Sequence, residues 1–248
     1  MIEKNGRMTT RARSFDAAAA SYAAHRPSYP PALFDAVEHL TGRPLAGARV
    51  ADVGAGTGIA TTLLHERGAE VVAVEPGDGM SAEFRRTHPD IPIVRGDGDR
   101  LPLATDSVDL ITYAQAWHWT DPARSVPEAR RVLRPGGALA IWWNDTDATV
   151  PWIAEQEERL RVFFEVEGQT YRTLPEGLGE FATRSVTWTR RITLDDHLAN
   201  LASHSAFLVL GEARSRAYFA GERELLDGLF PDGIVEEQYV VSLNVATV

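Results

Sequence analysis

The central part of the chain alternates between short apolar runs and helical stretches. The apolar runs are Arg49–Val53, Glu70–Glu75, Ile91–Arg95, Val108–Tyr113 and Ala138–Trp143. Apolar runs of this length are typical of strands buried on both faces, and their alternation with helical stretches is typical of βαβ units. The pattern therefore predicts an α/β domain built on a mostly parallel sheet.

The segments on either side of this region have a different pattern. From Ser14 to Leu40 two helices are predicted; Pro27 and Pro30 separate them, and Pro31 fits the first turn of the second. Beyond Asn144 the predicted elements are helices at Pro151–Glu167, Asp195–Leu210 and Glu212–Leu229 and strands at Arg184–Leu194 and Val235–Val245. We find no internal repeat and no low-complexity linker. One domain with helical additions before and after its core is therefore expected.

Composition and charge narrow the classes of function. The chain has 248 residues, no cysteine and a formal net charge of −10. The lack of cysteine excludes a disulfide scaffold, a thiol nucleophile and a Cys-ligated metal site. The acidic balance disfavours a nucleic-acid partner, because the protein and the phosphate backbone repel each other. No stretch has the pattern of a signal peptide or a membrane span, so a cytoplasmic protein that does not bind membranes is expected.

The most informative motif is a glycine-rich turn that follows the first predicted strand. Gly54, Gly56 and Gly58 alternate with small residues, and a helix is predicted from Ile59 to Arg67. Glycines in such a turn allow a sharp reversal, a close approach to a ligand and tight packing of helix on strand. The spacing differs from the Gly-x-Gly-x-x-Gly dinucleotide fingerprint, whose third glycine would fall at Ile59. A nicotinamide-dependent oxidoreductase is therefore disfavoured.

An acidic residue ends the second predicted strand. Glu75 lies 21 residues after Gly54, a spacing at which a carboxylate can accept hydrogen bonds from both ribose hydroxyls of an adenosine ligand. The alternative interpretation is a purely structural turn with Glu75 as a solvated strand end.

Six blocks of sequence occur in order between residues 14 and 145. They are Phe15…Tyr22…Arg26–Pro30, Val50–Gly58, Val74–Pro76, Gly96–Pro102, Gln115–Trp119 and Arg131–Gly137. In this order they resemble class I S-adenosylmethionine-dependent methyltransferases of the small-molecule type, which include ubiquinone-biosynthesis C-methyltransferases and trans-aconitate methyltransferase. The resemblance fades beyond residue 145, where members of the family normally determine their acceptor.

The resemblance implies a fold, a cofactor and a division of the chain. The fold is a doubly wound, mostly parallel seven-stranded sheet of the Rossmann-like methyltransferase type. S-adenosylmethionine is the implied cofactor and S-adenosylhomocysteine the product. Residues 14–44 are implied to form an N-terminal helical lid and 45–145 the cofactor-binding core. Residues 146–248 are implied to form a helical cap and the last strands, after the fifth strand, on the acceptor side.

The resemblance also implies contacts with the methionine and ribose parts of the cofactor. Gly54, Ala55 and Gly56 are expected along these parts, and Glu75 at the ribose hydroxyls. Gln115, after the fourth strand, is also expected in the cofactor site.

The adenine and the methionine carboxylate have their own implied contacts. Pro76 and Met80 are expected to pack on the adenine, although core packing alone is an equal alternative for Met80. Asp97 is expected to accept a hydrogen bond from the adenine amino group, beside the backbone of Gly98. After this Asp the family usually has a small residue and then Glu, whereas this chain has Gly98 and Asp99. Tyr22 and Arg26 are expected to close over the cofactor, with Arg26 near its carboxylate.

The reaction needs little more than positioning, because a sulfonium methyl group is already a strong electrophile. The enzyme holds the acceptor atom in line with the S–CH₃ bond and excludes water. His118, between two tryptophans after the fourth strand, is the candidate general base, because histidine titrates near neutral pH. A packing role for His118 is the alternative. Tyr22 is the second catalytic candidate, and Tyr29 is a further candidate for a hydrogen bond to the acceptor. No spacing of His, Asp and Glu resembles a metal site.

The acceptor itself stays open between two chemistries. An apolar or flat acceptor would suit the aromatic residues Trp143, Trp152, Phe163, Phe164, Tyr171, Phe181 and Phe207. A carboxylate would suit Arg172, Arg184, Arg190 or Arg191. The expected partner is a small-molecule acceptor, and the expected protein is a monomer or homodimer. A non-catalytic S-adenosylmethionine or S-adenosylhomocysteine binder, acting as partner or sensor, is the alternative function.

Overall fold

The computed structural model describes residues 19–20, 22–165, 173–208, 210 and 212–248. Of the predicted first helix, residues 19–20 and 22–25 are described and are helical. Ser14 and Phe15, at the start of this predicted helix, and the acceptor candidates Tyr171 and Arg172 lie outside the described residues.

Seven strands form one sheet. They are β1 (Arg49–Val53), β2 (Glu70–Glu75), β3 (Ile93–Arg95), β4 (Val108–Ala114), β5 (Leu133–Thr146), β6 (Ala182–Thr193) and β7 (Ile234–Thr247). Their order across the sheet is β3-β2-β1-β4-β5-β7-β6, and the four pairings among β1 to β5 are parallel. The order reverses between β1 and β4, which is the position where doubly wound folds bind ligands. The predicted doubly wound, mostly parallel sheet of seven strands is thus confirmed.

Eight helices that begin at Pro31 or later accompany the strands in the described part of the chain. They are α1 (Pro31–Thr41), α2 (Ile59–Glu66), α3 (Asp78–Thr87), α4 (Pro122–Val132), α5 (Pro151–Phe163), α6 (Leu194–Ala202), α7 (Ser205–Leu208) and α8 (Glu212–Leu229), and a 3₁₀ turn spans Trp117–Trp119. Helix α1 begins at Pro31 as predicted and ends at Thr41, and Gly42 caps it with a φ of +65°, a conformation that suits glycine.

Most predicted bounds shift by a few residues, and one predicted helix is divided in two. The fifth strand begins at Leu133 rather than Ala138. The Pro-Gly-Gly segment between these residues is typical of a turn, but it pairs with the last residue of the sequence. The Gly136 amide donates to the Val248 carbonyl, and the Val248 amide donates to the Gly137 carbonyl. The helix predicted at Asp195–Leu210 is two helices, separated where the Ser203 hydroxyl bonds to the Asn200 carbonyl at 2.6 Å. The third strand begins at Ile93 rather than Ile91.

The chain divides into two compact units. The sheet unit comprises the described residues among 28–145, 169–186 and 240–248, and the helical unit those among 1–27, 146–168 and 187–239. The core of the sheet unit is apolar and includes the fully buried Ile111, Leu139 and Ile141. The core of the helical unit includes Leu194, Leu198, Leu201, Leu226 and Val235. No helix among the described residues is both long and apolar enough to cross a membrane.

Candidate active site

The candidate site lies at the carboxyl ends of β1, β2 and β4. Because β1 runs parallel to both neighbours, with Val53 opposite Val74 and Asp52 opposite Thr112, the residues that follow these three strands meet at one edge of the sheet. The glycine turn follows β1, Glu75 ends β2, and Gln115 follows β4. The structure thus brings together the three segments that the sequence predicts for the cofactor.

The glycine turn is held against the end of β2 by its backbone. The amides of Gly54 and Ala55 both donate to the Val74 carbonyl, at 2.8 and 3.2 Å. The Gly58 amide donates to the Ala55 carbonyl at 3.0 Å. All three glycines have a positive φ, +70° at Gly54, +59° at Gly56 and +96° at Gly58. Residues with a side chain rarely adopt this conformation.

The three glycines face different surroundings. A Cβ atom at Gly54 would lie 2.5 Å from the Cβ of Ala116, and one at Gly58 would lie 2.8 Å from the Phe84 ring. A Cβ atom at Gly56 would meet no atom within 4 Å among the described residues. Gly54 and Gly58 are therefore needed for packing, whereas Gly56 presents bare backbone to open space, as a ligand-binding turn requires.

The Glu75 side chain is fixed by the same turn. Its exposed fraction is 7%, so it is not a solvated strand end. Oε2 accepts from the Gly56 amide at 2.8 Å, and Oε1 accepts from the Gly77 amide at 2.7 Å. Each carboxylate oxygen thus accepts from a backbone amide, and these two hydrogen bonds fix the orientation of the carboxylate.

The sequence analysis missed a buried acid beneath the turn. Asp52 on β1 is fully buried and accepts from Thr61 on α2 at 2.5 Å and from Thr112 on β4 at 2.8 Å. Burial raises the pKa of the Asp52 carboxyl, and the bonds from the two threonines offset only part of this shift. The sequence did contain a signal for this buried acid, because Asp52 is a charged residue within an apolar strand, two residues before Gly54.

The residues predicted beside the adenine lie on α3 and on the turn after β3. Met80 is 6% exposed and Pro76 is exposed. Asp97 Oδ1 accepts from the amides of Asp99 and Arg100 at 3.0 and 3.1 Å, which closes the turn on itself. A Cβ atom at Gly98 would lie 2.6 Å from the hydroxyl of the buried Tyr113, so glycine is required there by packing. The adenine contacts of Asp97 and Gly98 stay predictions.

The segment after β4 carries backbone strain. Gln115 has a φ of +57°, and its amide donates to the Trp142 carbonyl at 2.9 Å. A non-glycine residue held in this region costs about 1–3 kcal/mol, and such residues cluster at functional sites. Trp117 is 2% exposed and contacts the Tyr113 ring edge to face, with centroids 4.9 Å apart. The anchored Trp117 leaves His118 partly exposed, with its ring 4.6 Å from that of Trp119.

Tyr22 and Arg26 belong to the helical unit and contact each other. The Arg26 guanidinium lies over the Tyr22 ring, 4.8 Å from its centroid, and donates to the Ser203 carbonyl at 3.3 Å. Their closure over a cofactor stays a prediction. Tyr29 belongs to the sheet unit, is 8% exposed and packs edge to face on Trp142 at 5.8 Å.

The candidate acceptor residues are divided between the two units. Trp143 and Phe181 are in the sheet unit, whereas the rings of Phe163, Phe164 and Phe207 form one cluster in the helical unit. Among the candidate arginines, Arg184 and Arg191 are exposed, and Arg190 pairs with Glu237 at 2.5 Å. Arg190 is thus already neutralised.

No group of three or more His, Cys, Asp and Glu residues that could hold a metal ion occurs within the part of the chain that the structure describes.

Comparison with known proteins places this geometry in a family. Residues 51–141 match the model of a methyltransferase domain. An uncharacterised methyltransferase of Mycobacterium tuberculosis is 40% identical over 206 residues, which are 82% of this chain and 81% of that protein. The demethylmenaquinone methyltransferase of Beutenbergia cavernae is 35% identical over 141 residues, 56% of this chain and 58% of that protein.

A solved structure has a similar fold. A candidate type II methyltransferase from Anaeromyxobacter dehalogenans superposes with a TM-score of 0.72 at 25% identity, over 90% of this chain and 97% of that one. With the glycine turn, the fixed Glu75 and the strand order, these likenesses confirm the resemblance found in the sequence. The chain belongs to the class I S-adenosylmethionine-dependent methyltransferases.

Proposed function

We propose that this methyltransferase methylates a small-molecule acceptor, by in-line attack of the acceptor on the sulfonium methyl group of S-adenosylmethionine. The observation that carries the proposal is the pairing of Gly56 and Glu75. Open space lies over the Gly56 backbone, and the amide of the same residue orients the Glu75 carboxylate. A ribose diol needs this combination, a carboxylate held in a fixed orientation next to backbone that the ligand can approach closely.

The residues present fit the cofactor that the family uses. Gly54, Ala55 and Gly56 would hold the methionine and ribose parts, and Glu75 the ribose hydroxyls. Pro76, Met80, Asp97, Gly98 and Gln115 would surround the remainder. When bound, S-adenosylmethionine supplies a methyl group that is already activated for nucleophilic attack.

The rest of the chemistry falls to the chain's own side chains. His118 is the proposed general base, and Tyr22 the second catalytic candidate. A positioned base contributes about 10²–10⁴-fold when the acceptor must lose a proton. Tyr22 and Arg26 are proposed to close over the bound cofactor from the N-terminal segment, which would exclude water from the reacting atoms.

A small acceptor is supported by the charge of the chain and by the name of a relative. A net charge of −10 opposes binding to phosphate backbones. The demethylmenaquinone methyltransferase of Beutenbergia cavernae is named for a small-molecule acceptor. A non-catalytic binder is not favoured, since the turn, Glu75 and His118 are all in place.

Two measurements test the proposal. Calorimetry with S-adenosylhomocysteine should detect binding to the wild-type protein. Incubation with S-adenosylmethionine carrying a deuterated methyl group and a metabolite extract should then give a labelled small molecule by mass spectrometry. Failure to bind S-adenosylhomocysteine would contradict the cofactor site. Binding without a labelled metabolite, together with a labelled protein or RNA, would contradict the small-molecule acceptor.

A further inference from the structure

Two helices of the helical unit carry the large hydrophobic side chains that are exposed among the described residues. These are Val162 on α5, which is 61% exposed, and Leu225 and Leu229 on α8, which are 50% and 52% exposed. Leu225 and Leu229 are four residues apart, so they lie on the same face of α8. Single exposed hydrophobic residues are common on protein surfaces, whereas a group of them marks an interaction surface.

Helices α5 and α8 lie side by side and antiparallel. From the start to the end of α5, its side chains contact successively earlier residues in and directly after α8. In that order the contacts are Trp152 with Phe230, Arg159 with Glu222, and Phe163 with Tyr218. Val162 is one turn beyond Arg159 and Leu225 is one turn beyond Glu222, so the exposed side chains lie on either side of this ion pair.

A glycine lies on the same face of α8 as the exposed leucines. Gly221 is exposed and is four residues before Leu225. Glycine is unfavourable inside a helix. A Cβ atom at Gly221 would meet no atom within 4 Å among the described residues, so packing within this chain does not require glycine at this position. A glycine on an exposed helix face lets the backbone of another molecule approach closely.

The exposed charges of α8 are divided between its two halves. Arg214 and Arg216 are exposed in the first half, and Glu224 and Asp227 are exposed in the second half. The remaining charged side chains between residues 213 and 229 are paired within the chain; these pairs are Glu222 with Arg159 and Arg223 with Asp195. When two copies of such a helix pack antiparallel, arginines lie beside carboxylates at both ends of the contact, whereas a parallel pair would place like charges together.

The α5–α8 face is defined by four residues, Val162, Gly221, Leu225 and Leu229. We propose that this face binds a second copy of this chain, with the two α8 helices antiparallel across a two-fold axis midway between Arg214 and Asp227. A second copy is the occupant because one helix supplies both halves of the charge pattern, as a two-fold contact requires.

Charge and size both bear on the strength of this dimer. The net charge of −10 repels another copy at a distance, but salt screens this repulsion within about 8 Å, so the contact depends on the face itself. At about 1.5 Å of length per residue and about 10 Å of width per helix, α5 and α8 present about 500 Å² on each copy. A total of about 1,000 Å² is the lower limit for a specific interface, so the dimer should dissociate on dilution.

The first experiment is sedimentation velocity over a range of protein concentrations. The wild type should change from monomer to dimer as the concentration rises. The double variant Leu225→Ser with Leu229→Ser should raise the dissociation constant at least about tenfold, because it removes apolar surface from the contact. Both positions are exposed in the monomer, and circular dichroism checks that the variant is folded.

The second experiment reverses charges to identify the partner and its orientation. One variant combines Arg214→Glu with Arg216→Glu, and the other combines Glu224→Arg with Asp227→Arg. Alone, each variant brings like charges together at both ends and should stay monomeric where the wild type dimerises. An equimolar mixture of the two has opposite charges at both ends and should form a mixed dimer.

The control variant is Arg85→Glu with Arg130→Glu, two exposed arginines of the sheet unit, which should dimerise like the wild type. The proposal is overturned if the wild type is monomeric up to about 1 mM, a concentration at which even weak dimers form. It is also overturned if the leucine variant or either charge-reversed variant dimerises like the wild type, since the interface then lies elsewhere. Failure of the mixture to dimerise would contradict the antiparallel contact. None of these outcomes depends on the proposed function.

Discussion

Gly56 and Gly47 share a backbone conformation but differ in what they face. Both have a positive φ, +59° and +75°, and a Cβ atom at either would meet nothing within 4 Å among the described residues. We expect Gly56→Val and Gly47→Val to lose similar stability, since left-handed backbone costs about 1–2 kcal/mol for a residue with a side chain. Only Gly56→Val should abolish binding of S-adenosylhomocysteine in calorimetry. Equal affinity in the two variants would make the glycine turn merely structural.

Glu75 can be tested against another glutamate of the same strand. Glu75→Gln should weaken S-adenosylhomocysteine by about 1.5–3 kcal/mol, because the ribose hydroxyls lose a charged acceptor and one of the backbone amides at Gly56 and Gly77 loses its partner. Glu70→Gln, at the exposed start of β2, is the control and should bind like wild type. An unchanged affinity in Glu75→Gln would remove this residue from the site.

His118 distinguishes two kinds of acceptor. If the acceptor atom is a hydroxyl, an indole or an activated carbon, its proton must leave, and His118→Ala should lower kcat about 10²–10⁴-fold with little change in cofactor affinity. If the acceptor is a neutral amine or a thiolate, the loss should be less than about tenfold. His65→Ala, an exposed histidine of the sheet unit, is the control. Loss of cofactor binding in His118→Ala would identify a packing residue instead.

At the scale of elements, the sequence predicted the bounds of helices and strands best where those bounds depend on the local sequence alone. The bounds of β1, β2 and α8 agree with the prediction, because their apolar patterns end at turn residues. The early start of β5 depends on pairing with the chain end, and the break between α6 and α7 depends on one hydroxyl. The same distinction holds for the site: Glu75 was predicted from spacing, whereas the Asp52 contacts with Thr61 and Thr112 join residues up to 60 positions apart.

A buried ion pair joins helices α5 and α8, and it predicts that the stability of the fold decreases in acid. Glu222 on α8 is 2% exposed and accepts from Arg159 on α5 at 2.9 and 2.7 Å. Burial alone would raise the pKa of Glu222. The hydrogen bonds from Arg159 and Gln156, with the charge of Arg159, lower it by more than burial raises it, so the pKa of Glu222 lies below the ordinary value. The ionised form therefore stabilises the fold above an unfolded pKa of about 4.3, and this stability is lost as the pH falls below it.

We expect the free energy of unfolding of the wild type to decrease on acidification below about pH 4.3. Glu222→Gln should be less stable at neutral pH by about 1–3 kcal/mol and should show a shallower decrease in acid. Denaturant titrations across pH measure both effects. Glu158→Gln, which changes an exposed pair with Arg161, should behave like wild type. Parallel curves for wild type and Glu222→Gln would contradict the role of this pair.

For the whole molecule, the division into two units separates the predicted cofactor residues. The glycine turn, Glu75 and His118 are in the sheet unit, whereas Tyr22 and Arg26 are in the helical unit, and the boundary falls between Pro27 and Ser28. The sequence resemblance listed them as one site, but neither periodicity nor spacing predicts that the chain changes unit at this proline. If Tyr22 and Arg26 take part in cofactor binding, as proposed, the segment that joins them to the sheet unit should become more ordered when the ligand binds.

The segment across this boundary is therefore expected to respond to the cofactor. Residues 22–30 contain helical residues, then Pro27 and Pro30, which prevent one continuous helix. Hydrogen exchange in peptides from this segment should slow when S-adenosylhomocysteine is added, because binding through Tyr22 and Arg26 would order the segment. Peptides from α8, which carries none of the predicted cofactor residues, serve as the internal reference. The same experiment with Arg26→Gln should show a smaller change. If exchange in residues 22–30 is unaffected while residues 54–58 become protected, the cofactor binds without this segment, and its role as a lid is wrong.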